Sequence, residues 1–140
     1  MKTFNIDLWQ KLQEIYTTKE NTVLKPDAIF FGIAKENQPA PYCVIHVMNC
    51  GTDTNAQTLC KNDADYNKIG TSNIQFTMYA TNDMVVDELL QELNDVLDGL
   101  TNLNEYRILQ SIRRTTKNAS SFTNEVGAGL TRYDFQYERL

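Results

Sequence analysis

The strongest pattern in this chain is a segment of alternating side chains that runs straight into a segment with helical periodicity. Residues 71–81 (TSNIQFTMYAT) alternate between apolar and polar side chains, which predicts a strand with one buried face. Residues 82–100 repeat apolar side chains at steps of three and four, which predicts a helix with a wide apolar stripe. A chain with this pair of elements must bury one face of a sheet against one face of a helix.

One further helix and four further strands complete the prediction. Residues 5–19 carry apolar side chains on one helical face. The four strands are predicted at residues 28–34, 42–48, 107–114 and 130–139. Two polar, turn-rich segments, at about residues 49–69 and 115–129, are predicted to be long loops. The element order predicts a single α+β domain over residues 1–140, with an antiparallel or mixed β-sheet of four to five strands and two helices packed on one face.

The composition excludes several classes of protein. The chain has 140 residues, which suits one domain, and no stretch approaches the ~20 consecutive apolar residues of a membrane span. The first ten residues lack the apolar run of a signal peptide, so neither membrane association nor export is expected. A sequence pI near 4.8 argues against a basic nucleic-acid-binding surface. Three cysteines cannot all pair within one chain, so reduced thiols in a cytosolic setting are expected.

The sequence offers few side chains that could bind a metal ion or take part in catalysis. The single histidine, His46, lies three residues from Cys43 in a predicted strand, so the two side chains point to opposite faces. They cannot easily share one zinc ion, and we interpret His46 as a buried histidine and the cysteines as ordinary thiols. A Cys–His nucleophilic pair would need a third, orienting group, for which the sequence shows no signature. No metal, no cofactor and no enzymatic activity are therefore expected.

Three carboxylates lie in the first predicted loop, at Asp53, Asp63 and Asp65. Such a group could chelate calcium, but the spacing does not match an EF-hand loop. We therefore interpret these side chains as solvated loop carboxylates.

The C-terminal third of the chain concentrates cations. They are Arg107, Arg113, Arg114, Lys117, Arg132 and Arg139. These side chains form either the solvated face of two edge strands or a contact surface that pairs with carboxylates of a neighbouring subunit, and both interpretations stay open. Tyr79, Tyr133 and Tyr137 are predicted on the exposed face of the sheet, where a loop or a partner would cover them, since interfaces are enriched in tyrosine and arginine.

Three segments and their order resemble a known family. A Pro-rich turn precedes the strand 41–46 (PYCVIH), the strand 74–80 (IQFTMYA) runs into the helix over 85–100, and the chain closes with the alternating strand 132–137 (RYDFQY). Over nearly the whole chain, this arrangement resembles the tail terminator proteins of long-tailed bacteriophages, also called tail completion or head–tail joining proteins. The resemblance implies a hexameric ring that caps the tail tube, joins it to the head connector and has no enzymatic activity.

On that resemblance, we expect a virion structural protein that is assembled in the host cytoplasm and contacts a connector or neck protein and the tail-tube protein. DNA would pass through the lumen of the ring without specific binding, which the net charge of −5 suits. The expected subunit or partner contacts are Arg113, Arg114, Tyr133, Tyr137, Asp53, Asp63 and Asp65. Two alternatives stay open: another neck or tail-tube component, and a small ligand-binding or enzymatic α+β domain. The second would need a cleft lined by Cys43, His46 or the loop carboxylates.

Overall fold

The computed structural model of the chain describes residues 3–19, 22–52, 69–118 and 127–140. Its elements, in chain order, are helix α1 (Phe4–Thr18), a 3₁₀ turn (Pro26–Ala28), strands β1 (Ile29–Phe31), β2 (Tyr42–Thr52) and β3 (Ile69–Ala80), helix α2 (Asp83–Gly99), and strands β4 (Tyr106–Asn118) and β5 (Gly127–Arg139). In these residues the two helices and one five-stranded mixed sheet confirm the predicted α+β fold.

The five strands lie in the order β1-β2-β3-β5-β4. β1 runs parallel to β2, and the three other neighbouring pairs are antiparallel. β1 is shorter than the predicted strand 28–34, because it ends at Gly32, whose φ of +86° lies in the left-handed region that favours glycine. The two edges of the sheet are therefore a strand of three residues, β1, and a strand of 13 residues, β4.

The hairpin strands extend into both predicted loops. β2 continues to Thr52 and β3 begins at Ile69, whereas β4 continues to Asn118 and β5 begins at Gly127. The predicted loop bounds of 49–69 and 115–129 are thus too wide, and residues 53–68 and 119–126 lie outside the described residues. The two intervening segments leave the sheet at opposite ends, because Ile69 pairs with Glu138 whereas Gly127 pairs with Ala80 at the far end of β3.

The core lies against one face of the sheet, which we call the core face. The alternation of β3 places Ile74, Phe76 and Met78 there, each fully buried. Their antiparallel neighbours on the core face include Ile45 on β2 and Tyr133 on β5. The helices add apolar side chains to the same buried cluster, among them Phe4, Leu8, Leu12 and Tyr16 from α1, and Val86, Leu89, Leu90, Leu93 and Leu97 from α2.

Both helices begin at a side-chain cap. Thr3 Oγ1 accepts a hydrogen bond from the Ile6 amide at the start of α1. Asn82 Oδ1 accepts one from the Val85 amide at the start of α2. Each cap satisfies one of the amides that a helix N-terminus leaves without an internal partner. Within the described residues, neither helix is long and apolar enough to cross a bilayer.

Candidate functional site

The face of the sheet opposite the core face carries mostly polar side chains, and we call it the open face. Strand alternation and the cross-strand register assign to it half-buried or exposed side chains, which are Tyr42, His46, Asn73, Gln75, Tyr79, Gln110, Ile112, Arg114, Arg132, Asp134 and Gln136. The same register places Val44, Thr77 and Leu130 on this face, and these three side chains are buried. A depression of about 440 Å³ lies over β3, β4 and β5 on this side, lined in part by Asn73, Gln110, Arg114 and Gln136.

Of the three tyrosines predicted on the exposed face, only Tyr79 lies on the open face. Its ring is half-buried and stacks on Tyr42 with the centroids 4.7 Å apart. Tyr133 is 0 % exposed and belongs to the core, so its predicted exposure is wrong. The same prediction is wrong for Tyr137, which is half-buried on the core face and stacks on Phe4 at 4.0 Å. Tyr133 therefore has no side-chain surface to offer to a partner.

The Tyr133 hydroxyl belongs to a polar network that joins β5 to α2. It donates to Asp98 Oδ1 at 2.7 Å and lies 3.2 Å from Asn94 Oδ1. Thr131 Oγ1 donates to the same Asn94 oxygen at 2.9 Å, and the Asn94 amide donates to Thr116 Oγ1 at 3.3 Å. Burial, and then the hydrogen bond to Asp98, raise the pKa of Tyr133 well above its usual value, so the phenol stays a neutral donor.

The two adjacent arginines of β4 lie on different sides of the sheet. Arg113 lies opposite Tyr133 of the core face, and strand alternation places the next side chain, that of Arg114, on the other side, where a β-bulge shifts the register before Thr115. Arg113 Nη1 lies 3.5 Å from Asp98 on α2, whereas Arg114 pairs with Asp134 on the open face. Both guanidinium groups are exposed, one on each side of the sheet at its β4 edge.

Charge is segregated between α2 and β4. The charged residues of α2 are all acidic: Asp83, Asp87, Glu88, Glu92, Asp95 and Asp98. Those of β4 are all basic: Arg107, Arg113, Arg114 and Lys117. A depression of about 360 Å³, which we call the edge groove, separates the two elements and is lined by Asp87, Leu90, Gln91, Asn94, Arg113, Arg114, Thr115 and Thr116. The α2 wall of the edge groove therefore carries one carboxylate, Asp87, and the β4 wall carries two arginines.

Cys43 and His46 lie on opposite faces, as predicted. Cys43 is buried in the core, and burial raises the pKa of its thiol to about 12. His46 is exposed on the open face, so its predicted burial is wrong. No single cleft can use both side chains. In the part of the chain that the structure describes, no group of three or more His, Cys, Asp or Glu side chains could hold a metal ion.

The loop carboxylates Asp53, Asp63 and Asp65 lie outside the described residues, so their predicted contacts stay predictions. Sequence reasoning missed Asn94 and its network. The sequence feature that could have identified Asn94 is its position in the apolar stripe of α2, between Leu90 and Leu97. A purely apolar stripe would carry a hydrophobic residue there.

No family model matches this chain, and no curated protein matches it either. Its function is therefore inferred from its residues and their arrangement.

Proposed function

We propose that this chain is a virion structural protein, the subunit of a hexameric ring at the head–tail junction that terminates the tail tube and joins it to the connector. The observation that carries the proposal is the placement of the two segments that leave the sheet. One departs from the end where Ile69 pairs with Glu138, and the other from the end where Gly127 pairs with Ala80. A subunit that joins two different neighbours along one axis needs a contact segment at each end.

The chemistry of the two segments supports this role. Residues 53–68 (DTNAQTLCKNDADYNK) and 119–126 (ASSFTNEV) are rich in side chains that hydrogen-bond. The rims of protein interfaces carry such polar groups, which are solvated before assembly and form hydrogen bonds with the partner after it. Asp53, Asp63 and Asp65 are the proposed partner contacts in the first segment.

Lateral contacts in the ring require two different surfaces on each subunit, because a closed ring is built from heterologous interfaces. Arg113 and Arg114 are proposed to lie near subunit or partner contacts, since both are exposed on the edge strand β4. Tyr137 is proposed as a further contact through the exposed part of its ring, whose other part stacks on Phe4. The net charge of −5 supports DNA passage through the lumen without specific binding.

Removal of the gene from its phage tests this function. We expect filled heads and tails that do not join, because a terminator acts after the tube has formed. A strain that makes no tails would instead favour the alternative role of a tail-tube component. Joined, infectious particles at the normal yield would contradict both roles.

A matched pair of variants tests the proposed contact segment in that strain. Asp53→Asn, Asp63→Asn and Asp65→Asn combined should lower the yield of joined particles while the purified protein keeps its thermal stability. Asp27→Asn, an exposed carboxylate in the 3₁₀ turn, serves as the control and should restore joining fully.

A further inference from the structure

Within the part of the chain that the structure describes, no strand pairs with the outer edge of β4 along most of its length. β5 occupies the inner side of β4 over the whole strand. On the outer side, Tyr106 O accepts from the Leu103 amide at 2.9 Å and the Ile108 amide donates to Thr101 O at 2.7 Å. Among the described residues, no further backbone hydrogen bond lies on that side, so the outward-pointing amides and carbonyls at alternate positions of residues 109–118 have no backbone partner there. Such an edge is a template for an added strand.

The opposite edge of the sheet does not offer the same template. β1 has three residues, and the indole nitrogen of Trp9 donates to Ile29 O at 2.8 Å. A partner strand would find one backbone carbonyl already engaged and few others to bond. The capacity to accept a strand therefore lies at β4.

The side chains of β4 itself favour a partner strand that carries carboxylates. Strand alternation directs the Arg113 side chain toward α2 and the Arg114 side chain toward the open face. An added strand, whose side chains alternate between the two faces, would meet a cation on each face. β4 carries four cations and no carboxylate, so a second β4 laid against it would be repelled.

The existing ion pairs leave these cations available. The pairs of Arg113 with Asp98 and of Arg114 with Asp134 are exposed, and exposed pairs contribute little and exchange readily. Leu109, in the first bulge, is 43 % exposed and supplies an apolar contact on the same edge. Side chains of an added strand that point toward α2 would enter the edge groove beside Leu90 and Asn94.

We propose that the open edge of β4 is a strand-addition site for an extended, acidic segment of another protein, with carboxylates at two successive positions facing Arg113 and Arg114. The backbone of β4 supplies the hydrogen bonds, and the two arginines select the charge of the partner. The bulges and the cations exclude a second copy of β4. This site depends on the sheet edge alone and does not require that the chain form a ring.

Synthetic peptides test the site on the full chain. The probe is a capped, fluorescent peptide of alternating Thr and Val with two central Glu residues, and its matched partner carries Lys in place of Glu. A third peptide keeps both Glu residues but is N-methylated at alternate amides, so that it cannot pair along its edge. We expect the Glu peptide to bind about tenfold tighter than the Lys peptide, and the N-methylated peptide to bind about tenfold weaker than its parent. Bound Glu peptide should also slow hydrogen exchange within residues 109–118.

A pair of variants locates the site. Arg113→Gln combined with Arg114→Gln should reduce the preference for Glu over Lys to about twofold or less. Arg132→Gln removes an exposed arginine from β5, which is not an edge strand, and should leave the preference for Glu over Lys unchanged. Far-ultraviolet circular dichroism of both variants should match that of the unaltered chain.

Three results would overturn the proposal. Equal binding of the Glu and N-methylated peptides would mean attraction by surface charge without strand addition. Equal binding of the Glu and Lys peptides would mean that the site does not select an acidic partner. Failure of every peptide to bind at millimolar concentration, with the fold intact, would mean that the edge accepts no strand.

Discussion

At the scale of single residues, Tyr133 has the most distinct physical role. Its ring is buried between Phe76 and Phe135, and its hydroxyl bonds to Asp98 on α2. The residue thus contributes both apolar burial and a polar tie between the sheet and a helix. These two contributions are separable by substitution.

We predict that Tyr133→Phe lowers the free energy of unfolding by about 0.5–1.5 kcal/mol, because it removes one hydrogen bond and leaves the ring in place. Tyr133→Ala should cost about 3–5 kcal/mol, because it also opens a cavity in the core. Tyr79→Phe, on the open face, is the control and should change stability by less than about 0.5 kcal/mol. Urea denaturation measures all three. An Ala variant as stable as the unaltered chain would place the ring at the surface.

Alkaline pH should destabilise the protein through Cys43. Its thiol has a pKa of about 12 in the folded chain against about 9 when unfolded, so between these values only the unfolded state loses the proton. Stability is therefore fully present below pH 9 and falls above it, by about 1.4 kcal/mol for each pH unit.

Denaturation at a series of pH values tests the role of Cys43. Cys43→Ala should lose the fall in stability between pH 9 and pH 10, a window below the ordinary pKa of tyrosine. Above pH 10, the buried phenols of Tyr16 and Tyr133, whose pKa values burial raises, should destabilise both proteins alike. A fall of the same slope in the Ala variant between pH 9 and pH 10 would contradict the burial of the thiol.

Sequence reasoning separated the two faces of each strand, but it did not always identify which of the two faces is buried. It placed Cys43 and His46 on opposite faces correctly, because alternation in a strand is strict. It then misplaced Tyr133, although Arg132 and Asp134 on either side marked the opposite face as the polar one. Tyrosine carries both an apolar ring and a hydroxyl, so the residue type alone does not show whether it lies on the buried or the exposed face. The polarity of the neighbouring residues in the strand has to decide.

At the scale of elements, the start of β5 is packed against the start of α2. A Cβ placed on Gly127 would lie 2.7 Å from the carbonyl carbon of Asn82 and 2.9 Å from the Asp83 amide nitrogen. These are backbone atoms of the helix cap, which cannot move as a flexible side chain can. Glycine is therefore required at the point where the strand meets the helix.

We predict that Gly127→Ala destabilises the protein by about 1–3 kcal/mol, through a clash that displaces the α2 cap. Gly99→Ala is the matched substitution at the last residue of α2, where a Cβ meets nothing within 4 Å. It should stabilise the protein by about 0.5–1 kcal/mol, because alanine loses less backbone entropy than glycine in a helix. Thermal denaturation compares the two variants, and equal effects would mean that β5 does not contact the cap.

The periodicity of apolar residues predicted both helices well, and it predicted the strands only over the parts that carry apolar side chains. β2 and β4 continue beyond their apolar parts, because pairs such as Thr52 with Gly70 and Thr116 with Thr131 extend the ladder. Backbone hydrogen bonds hold these ends, and they require no apolar side chain. Strand ends that carry polar side chains therefore resemble loops when only the sequence is read.

At the scale of the whole molecule, the element order was sufficient to predict an α+β fold but not the order of the strands. β5, the last strand, inserts between β3 and β4. Its alternating aromatic residues suit a central position, whereas the cations of β4 suit an edge. The β4–β5 hairpin could join the sheet through either of its two strands. The sequence therefore did not show that β4 would form the edge, and only the fold does. The candidate partner site at that edge could not be predicted for the same reason.

Electron microscopy of purified virions tests the central claim most directly, with this protein identified by a peptide tag inserted after the exposed Leu140. The proposed function predicts six tagged copies in one ring between the connector and the end of the tail tube. Tag density along the whole tube, or virions that contain none of the protein, would contradict it.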